Sequence, residues 1–134
     1  MAGLDPATQP ARVHARKKSH RMKEEIRRAV AYALLAREGD AETTIYSYDT
    51  EHRSKMSGSR DDFFDHEIGA RVVRTGASLY HYGLWHHIDL NVAGTSFSGF
   101  DHGSKTHFEG VINGRAVQLY DHGENRYFNY HEGT

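Results

Sequence analysis

The stretch LYHYGLWHHIDL at residues 79–90 decides the fold, because GFDHGSKTHFEG at 99–110 and LYDHGENRYFNY at 119–130 repeat its pattern. The three segments align without a gap at a spacing of 20 residues, and a weaker copy begins at Ser47. A unit of this length is too short for a strand–helix–strand crossover but suits one β-hairpin with its connection. We therefore predict consecutive antiparallel hairpins over about residues 43–131.

The turn residues support this arrangement. Asn113-Gly114 between apolar segments is a strong short-range hairpin signal, and Ala93-Gly94 occupies the equivalent place one repeat earlier. In the Asp-His-Gly segments, the Asp side chain can bond its own backbone and Gly tolerates a positive φ. We therefore predict two-residue turns at 93–94 and 113–114, and six-residue loops at 81–86, 101–106 and 121–126.

Alternation of side chains along these strands separates two faces of the sheet. The apolar face has a first row of Leu79, Ile88, Gly99, Phe108, Leu119 and Phe128. The opposite face carries aromatic and histidine side chains: Tyr80, His87, Phe100, His107, Tyr120 and Tyr127. In this register His87 faces Phe100, and His107 faces Tyr120. Rings on an open sheet face can stack on bases, sugars or other ligands, so this row is a candidate binding surface. The alternative is that cross-strand ring pairs only stabilise the hairpins.

An amphipathic helix precedes the hairpins. Its apolar residues recur at spacings of three and four, and they are Met22, Ile26, Ala29, Val30, Ala33 and Leu34. We predict a helix over about residues 19–38, started by Ser19 and followed by Gly39, with Arg27 and Arg28 on its polar side. Residues 59–74 fit either the start of a helix or a strand.

Together these patterns predict an α+β fold. It consists of an antiparallel β-meander of about six to eight strands, with the helix packed on its apolar face. The alternative is a small β-barrel that closes around the same apolar residues. We assign residues 1–18 to a flexible basic arm and residues 19–134 to a single domain.

Composition excludes several classes of protein. The chain contains no cysteine, which excludes disulfides and thiolate metal sites. No apolar run approaches a membrane span or resembles a secretory leader. We therefore expect a soluble cytoplasmic protein without membrane contact, and the oligomeric state stays open.

Charge is distributed unevenly along the chain. Residues 1–28 carry eight basic and three acidic side chains, whereas the remainder carries nine basic and fifteen acidic ones. The basic residues that could contact nucleic acid are Arg12, Arg16, Lys17, Lys18 and Arg21. The alternative is that this arm folds back on the acidic body.

One repeat resembles the short hairpins of the MORN family. The shared positions are Phe108, Gly110, Asn113, Gly114, Tyr120, Gly123 and Tyr127. The match covers about one repeat, the period here is shorter, and the central Gly-x-Gly of the family is missing. We attribute the resemblance to the chemistry of short hairpins and infer no function from it.

Two groups of side chains could carry chemistry. The His-x-carboxylate pairs His87/Asp89 and His107/Glu109 have a spacing compatible with metal binding. Their strands are not neighbours and Phe100 lies between them, so we predict no metal site and no cofactor. The second group lies at one end of the sheet, where the loops begin, and consists of Asp101, His102, Asp121 and His122.

No nucleophile, phosphate-binding or zinc-protease motif is present in the sequence. We favour a small non-catalytic binding or protein-interaction module that uses the aromatic–histidine face or the Asp-His rim to bind a protein partner or a small ligand. The alternatives are a metal-assisted hydrolase at the Asp-His rim and a nucleic-acid-binding protein that uses the basic arm.

Overall fold

The computed structural model describes residues 21–36 and 42–133. In this part of the chain there are one helix, α1 (Glu24–Leu35), and ten β-strands. The strands are β1 (Thr43–Ser47), β2 (His52–Ser59), β3 (Asp62–Asp65), β4 (Ala70–Thr75), β5 (Ser78–His81), β6 (His86–Ala93), β7 (Ser96–Asp101), β8 (Thr106–Asn113), β9 (Ala116–Asp121) and β10 (Arg126–Glu132). Consecutive strands are antiparallel neighbours, and β1 pairs with β10, so the sheet closes into a barrel. The helix among these residues is neither long enough nor apolar enough to cross a membrane.

The antiparallel strands and the one helix in residues 21–36 agree with the sequence-based prediction, but the sheet is not an open meander of six to eight strands. The alternative prediction, a barrel, is correct, although it has ten strands. Residues 59–74 account for the difference, because they contribute β3 and β4. Closing the sheet pairs each of these ten strands on both sides and leaves none of them with a free edge. Residues 1–18, Ser19 and Gly39 lie outside the described residues. The predicted basic arm and both predicted ends of the helix therefore lie outside them as well.

The sequence repeat extends to five hairpins in the described chain. Each odd-numbered strand ends at the middle residue of a triplet that has two outward rings around one inward polar residue: YSY at 46–48, FDH at 64–66, YHY at 80–82, FDH at 100–102 and YDH at 120–122. A four-residue loop begins at the last residue of each triplet. The final loop residue has a positive φ in all five hairpins, namely at Glu51, Gly69, Trp85, Lys105 and Asn125. The triplets at 46 and 64 lie 18 and 16 residues before the next triplet, because the strands between them are shorter, and the weaker copy predicted to begin at Ser47 is displaced by two residues from the first triplet.

The predicted strand register is correct inside the hairpins and wrong between them. Within hairpins Tyr80 pairs with His87, and Phe100 pairs with His107, as expected. Between hairpins Asp89, not His87, faces Phe100. The cause is the turn: Gly94 and Thr95 form it instead of Ala93 and Gly94. The positive φ at Gly94 (65°) is the conformation that the first residue of a type II′ turn requires.

The equivalent turn one repeat later shifts in the same way. Gly114 and Arg115 form it, so Glu109, not His107, faces Tyr120. Moving a two-residue turn by one position changes the register by two residues. An even shift keeps every side chain on its face. The predicted apolar row therefore still points inward, although its members are displaced along the barrel axis.

Helix α1 lies inside the barrel. All residues from Ile26 to Ala33 are buried, whereas a helix packed on the outside of a sheet exposes one side. Arg27 binds Asp121 in β9, and Arg28 binds Asp65 in β3. These two strands lie on opposite walls, separated by three strands on one side and five on the other. The helix therefore crosses the lumen, and the prediction that both arginines lie on a solvent-facing side is wrong.

The lumen is packed with side chains from the helix and the wall. The largest fully buried residues include Tyr32, Phe63, Phe108, Phe128 and Tyr130. Where the wall has Gly110, a Cβ atom would lie 2.7 Å from the ring of Phe97 and 1.9 Å from the carbonyl oxygen of Gln118. The missing side chain thus makes room for a neighbouring ring and strand.

Candidate functional site

The outer face of the barrel carries rings at the end where the four-residue loops lie. The repeated unit is the pair of outward rings of each triplet, and it occurs five times in residues 42–133. The ring centroids are 4.8–4.9 Å apart in every pair, with planes 69–88° apart. Such edge-to-face contacts are favourable for aromatic pairs. We define the outer aromatic band as Tyr46, Tyr48, Phe64, His66, Tyr80, Tyr82, Phe100, His102, Tyr120 and His122, together with His87, His107, Tyr127 and Trp85.

The predicted aromatic–histidine row lies within this band. Its exposed members are His87, His107 and Tyr127, and its half-buried members are Tyr80, Phe100 and Tyr120. Within the β7–β8 hairpin the Phe100 and His107 ring centroids are 4.6 Å apart, and within the β9–β10 hairpin those of Tyr120 and Tyr127 are 4.9 Å apart. Between hairpins, His87 stacks on His102 at 5.0 Å with an interplanar angle of 24°. The shifted register creates this stack by bringing the two histidines side by side.

The aspartates of the predicted rim point into the barrel. Asp101 and Asp121 are both fully buried. Asp101 accepts hydrogen bonds from the Gly103 amide at 3.1 Å and the Ser104 hydroxyl at 2.7 Å. Asp121 accepts one from the Gly123 amide at 2.8 Å and another from Arg27 at 3.0 Å. These carboxylates therefore organise the loops and anchor the helix, and they do not share a surface with their histidine neighbours.

The histidines of the rim point outward and meet carboxylates of the adjacent hairpin. His102 Nε2 lies 3.0 Å from Asp89 Oδ2. His122 Nε2 lies 3.3 Å from Glu109 Oε2. The two contacts are equivalent by the repeat, since each joins the first residue of a four-residue loop to the second strand of the preceding hairpin, β6 for His102 and β8 for His122. The rim and the aromatic row thus merge into one surface.

The His-x-carboxylate pairs that were considered for metal binding bring few potential metal ligands together. His87 Nε2 is 4.0 Å from Asp89 Oδ1, which is longer than a hydrogen bond. Among residues 21–36 and 42–133, no group of three or more His, Asp or Glu side chains could hold a metal ion.

A groove separates the two His–carboxylate contacts. Its volume is about 520 Å³, and it runs over β7 between β6 and β8. The residues that line it are Asp89, Asn91, Ser98, Gly99, Phe100, His107, Phe108, Glu109 and His122. The groove therefore combines two carboxylates with aromatic walls and small polar side chains at its centre.

Trp85 is the most exposed large apolar residue in the described chain, at 72%. It occupies the loop position with positive φ, here 60°, which is unfavourable for a bulky side chain. Its ring centroid lies 6.4 Å from those of both Tyr80 and Tyr82. The equivalent residues Lys105 and Asn125 are polar, so the tryptophan makes this loop different from its counterparts.

A buried polar cluster lies beneath the Trp85 loop. His81 is fully buried, and its Nδ1 accepts a hydrogen bond from the Leu84 amide at 3.2 Å. His81 Nε2 and Arg28 Nη2 are buried without a hydrogen-bond partner among the described residues. Burial lowers the pKa of His81, and Arg28 and His86 add to this lowering while Asp65 opposes it.

The basic candidates for nucleic-acid binding fall mostly outside the described part of the chain. Arg12, Arg16, Lys17 and Lys18 precede residue 21. Arg21 is described, and its guanidinium lies 3.1 Å from Glu124 in an exposed ion pair.

Several members of the band were not predicted from the sequence: Tyr46, Tyr48, Phe64, His66, Tyr82 and Trp85. The detectable signal for five of them is a ring two residues from another ring with a small or polar residue between. Trp85 has no counterpart in the other loops, so no repeat pattern points to it.

Comparisons of the chain with protein-family models, curated proteins and solved structures find no match. Function is therefore inferred from the geometry of the outer aromatic band and of the groove within it.

Proposed function

We propose that this protein is a non-catalytic binding module whose contact surface is the outer aromatic band. The observation that carries the proposal is the contrast between a filled interior and a ring-rich exterior. Helix α1 and the wall side chains occupy the lumen, which is where barrels of other kinds hold a small ligand. A partner is therefore expected on the outside.

The Trp85 loop supports a protein as the partner. Exposed tryptophan and tyrosine side chains are the residue types that contribute most to protein–protein binding energy. Here Trp85 and Tyr82 are exposed next to each other, and the Trp85 ring contacts those of Tyr80 and Tyr82 while most of its surface stays exposed. A bound partner would cover both rings.

The repeat supplies substitutions that test this surface without unfolding the protein. In the Tyr82→His/Trp85→Asn variant, both loop residues become those that stand at the same positions in the β9–β10 loop, His122 and Asn125. The matched control is Val92→Thr/Val111→Thr. It removes two exposed apolar side chains from strands β6 and β8, away from the four-residue loops.

Affinity purification from native extract with the three proteins distinguishes the outcomes. We expect at least one partner that the unchanged protein and the valine control retain and the Tyr82→His/Trp85→Asn variant loses. The same set of partners with all three proteins would contradict the proposal, as would equal loss in the control.

A further inference from the structure

We propose that the groove between β6 and β8 binds an arginine side chain from a basic segment of a partner protein. This inference rests on the proposed function, because it assigns a chemistry to the partner at one part of the outer aromatic band. It is carried by the charge of the groove and by the way in which other hairpins of the same barrel use arginine.

The groove carries two carboxylates that no Lys or Arg of the described chain neutralises. Asp89 and Glu109 contact only histidines, at 3.0 and 3.3 Å, and neither pairs with a Lys or Arg among the described residues. No basic side chain other than His107 and His122 lines the groove. Both carboxylates are exposed over a large part of their surface, at 44% and 60%.

Two other hairpins show what a guanidinium does on this kind of surface. In the β3–β4 hairpin, Arg71 lies across from Phe64 and binds Asp62 through two nitrogens, at 3.0 and 2.7 Å. In the β1–β2 hairpin, the guanidinium of Arg53 lies 5.0 Å from the centre of the Tyr46 ring. An arginine of the chain itself thus binds a carboxylate in the β3–β4 hairpin, and another lies over a ring in the β1–β2 hairpin.

The corresponding residue in the β7–β8 hairpin is a histidine. His107 lies across from Phe100 in the same register as Arg71 and Phe64. An imidazole is shorter than an arginine side chain and has no planar fork of donors, so it cannot form a two-bond contact with a carboxylate. The groove thus has a ring on β7 and two carboxylates from the flanking strands β6 and β8, whereas the residue across from the ring is a histidine instead of an arginine.

The shape of the groove fits this ligand. A volume of about 520 Å³ exceeds the space that one side chain needs and leaves room for the adjoining peptide backbone. Phe100 offers an apolar wall for the guanidinium plane, and Asn91 and Ser98 offer hydrogen-bonding groups for backbone amides. Arginine is favoured over lysine because its planar fork matches a carboxylate.

Calorimetric titration of the full chain with a short glycine-serine peptide that carries two arginines tests the proposal. The comparison peptide has citrulline, which keeps the shape and loses the charge, in place of each arginine. We expect the citrulline peptide to bind at least about tenfold more weakly. The Asp89→Asn/Glu109→Gln variant is expected to lose at least about tenfold in affinity for the arginine peptide. The control Glu67→Gln removes an exposed carboxylate that also contacts a histidine, His52 at 3.0 Å, but does not line the groove, and it is expected to leave the affinity unchanged.

Three results would overturn the arginine site: equal affinity for both peptides, unchanged affinity in the Asp89→Asn/Glu109→Gln variant, or equal loss in the control. Tighter peptide binding after changing Arg12, Arg16, Lys17 and Lys18 to Gln would also overturn it, because the groove would then belong to the chain's own basic segment. Thermal unfolding verifies that each variant is folded. If the arginine peptide does not bind but the Tyr82→His/Trp85→Asn variant still loses a partner, the arginine assignment is rejected and the binding-module proposal stands.

Discussion

At the scale of single residues, the inward member of each triplet has one shared role. It accepts a hydrogen bond from a backbone amide of the loop that follows. The acceptors are Ser47 Oγ (3.3 Å), Asp65 Oδ1 (2.9 Å), His81 Nδ1 (3.2 Å), Asp101 Oδ1 (3.1 Å) and Asp121 Oδ1 (2.8 Å). The five polar residues are thus explained by loop formation, which agrees with the turn chemistry expected of Asp-His-Gly.

His81 is the member of this set that should make folding sensitive to mild acid. A histidine in an unfolded chain titrates with a pKa of about 6.5, and burial lowers the pKa of His81 in the folded protein. Below that ordinary value the unfolded chain therefore binds a proton that the folded protein resists, and the free energy of unfolding falls as the pH decreases. The slope from this one group is at most about 1.4 kcal/mol per pH unit, until the pH reaches the folded pKa.

The variant His81→Asn isolates this contribution. The asparagine oxygen can still accept the Leu84 amide, but it does not titrate. Urea denaturation at several pH values between about 7.5 and 5 should give a flatter pH dependence for the variant than for the unchanged protein. Parallel curves would mean that His81 is protonated as easily in the folded protein as in the unfolded chain.

At the scale of elements, helix α1 is fixed in the lumen by two buried ion pairs in addition to its apolar residues. Arg27 Nη1 lies 3.0 Å from Asp121, and Arg28 Nε lies 2.8 Å from Asp65. Removing one partner of a buried pair leaves an unpaired charge, which costs about 3–5 kcal/mol. Removing both costs much less, because no charge is left behind.

We therefore expect Arg28→Met to lower the free energy of unfolding by about 3–5 kcal/mol. The double variant Arg28→Met/Asp65→Asn should recover about 2 kcal/mol or more of this loss, because its side chains at these positions are neutral. The amide oxygen that replaces the carboxylate in the double variant can still accept the Glu67 amide. Chemical denaturation of both variants and of Asp65→Asn completes the cycle. Strictly additive losses would show that the pair does not hold the helix.

The helix also shows how far element prediction from sequence can go. The spacing of Ile26, Val30 and Ala33 correctly predicts a helix, since periodicity is a local property. The burial of Arg28 was not predictable from the same pattern, because its partner Asp65 is 37 residues away. The FDH triplet at 64–66 was visible in principle, but the shorter hairpin places it off the spacing of 20 residues. Turn positions were misplaced by one residue because Gly94 and Gly114 can occupy either position of a two-residue turn.

At the scale of the whole molecule, the closure between β1 and β10 is the weakest join of the barrel. Three residue pairs connect β1 to β10, whereas six connect β7 to β8. The pattern of apolar residues along the strands is the same for an open sheet and for a closed one. Closure therefore could not be derived from Ile88, Phe108 or Phe128, because it also requires β3 and β4, whose sequence fits either a helix or a strand.

Native-state hydrogen exchange should reveal this join. We expect backbone amides of β1, such as that of Tyr46, to exchange faster than amides at the centre of β8, such as that of Phe108. Opening at the β1–β10 edge exposes β1 without disturbing the central hairpins. Equal exchange rates in β1 and β8 would indicate instead that the barrel opens only as a single cooperative unit.

The helix inside the barrel also limits how such a protein can change over evolutionary time. In an open array of repeats, gaining or losing a unit alters only the length. Here the circumference grows with each added pair of strands, and the helix has a fixed girth of about 10–12 Å including its side chains. A sixth hairpin would make the lumen too wide for the helix to fill, and with four hairpins the lumen would be too narrow to contain it. Selection can therefore vary the outer rings hairpin by hairpin, but the interior helix fixes how many hairpins there are.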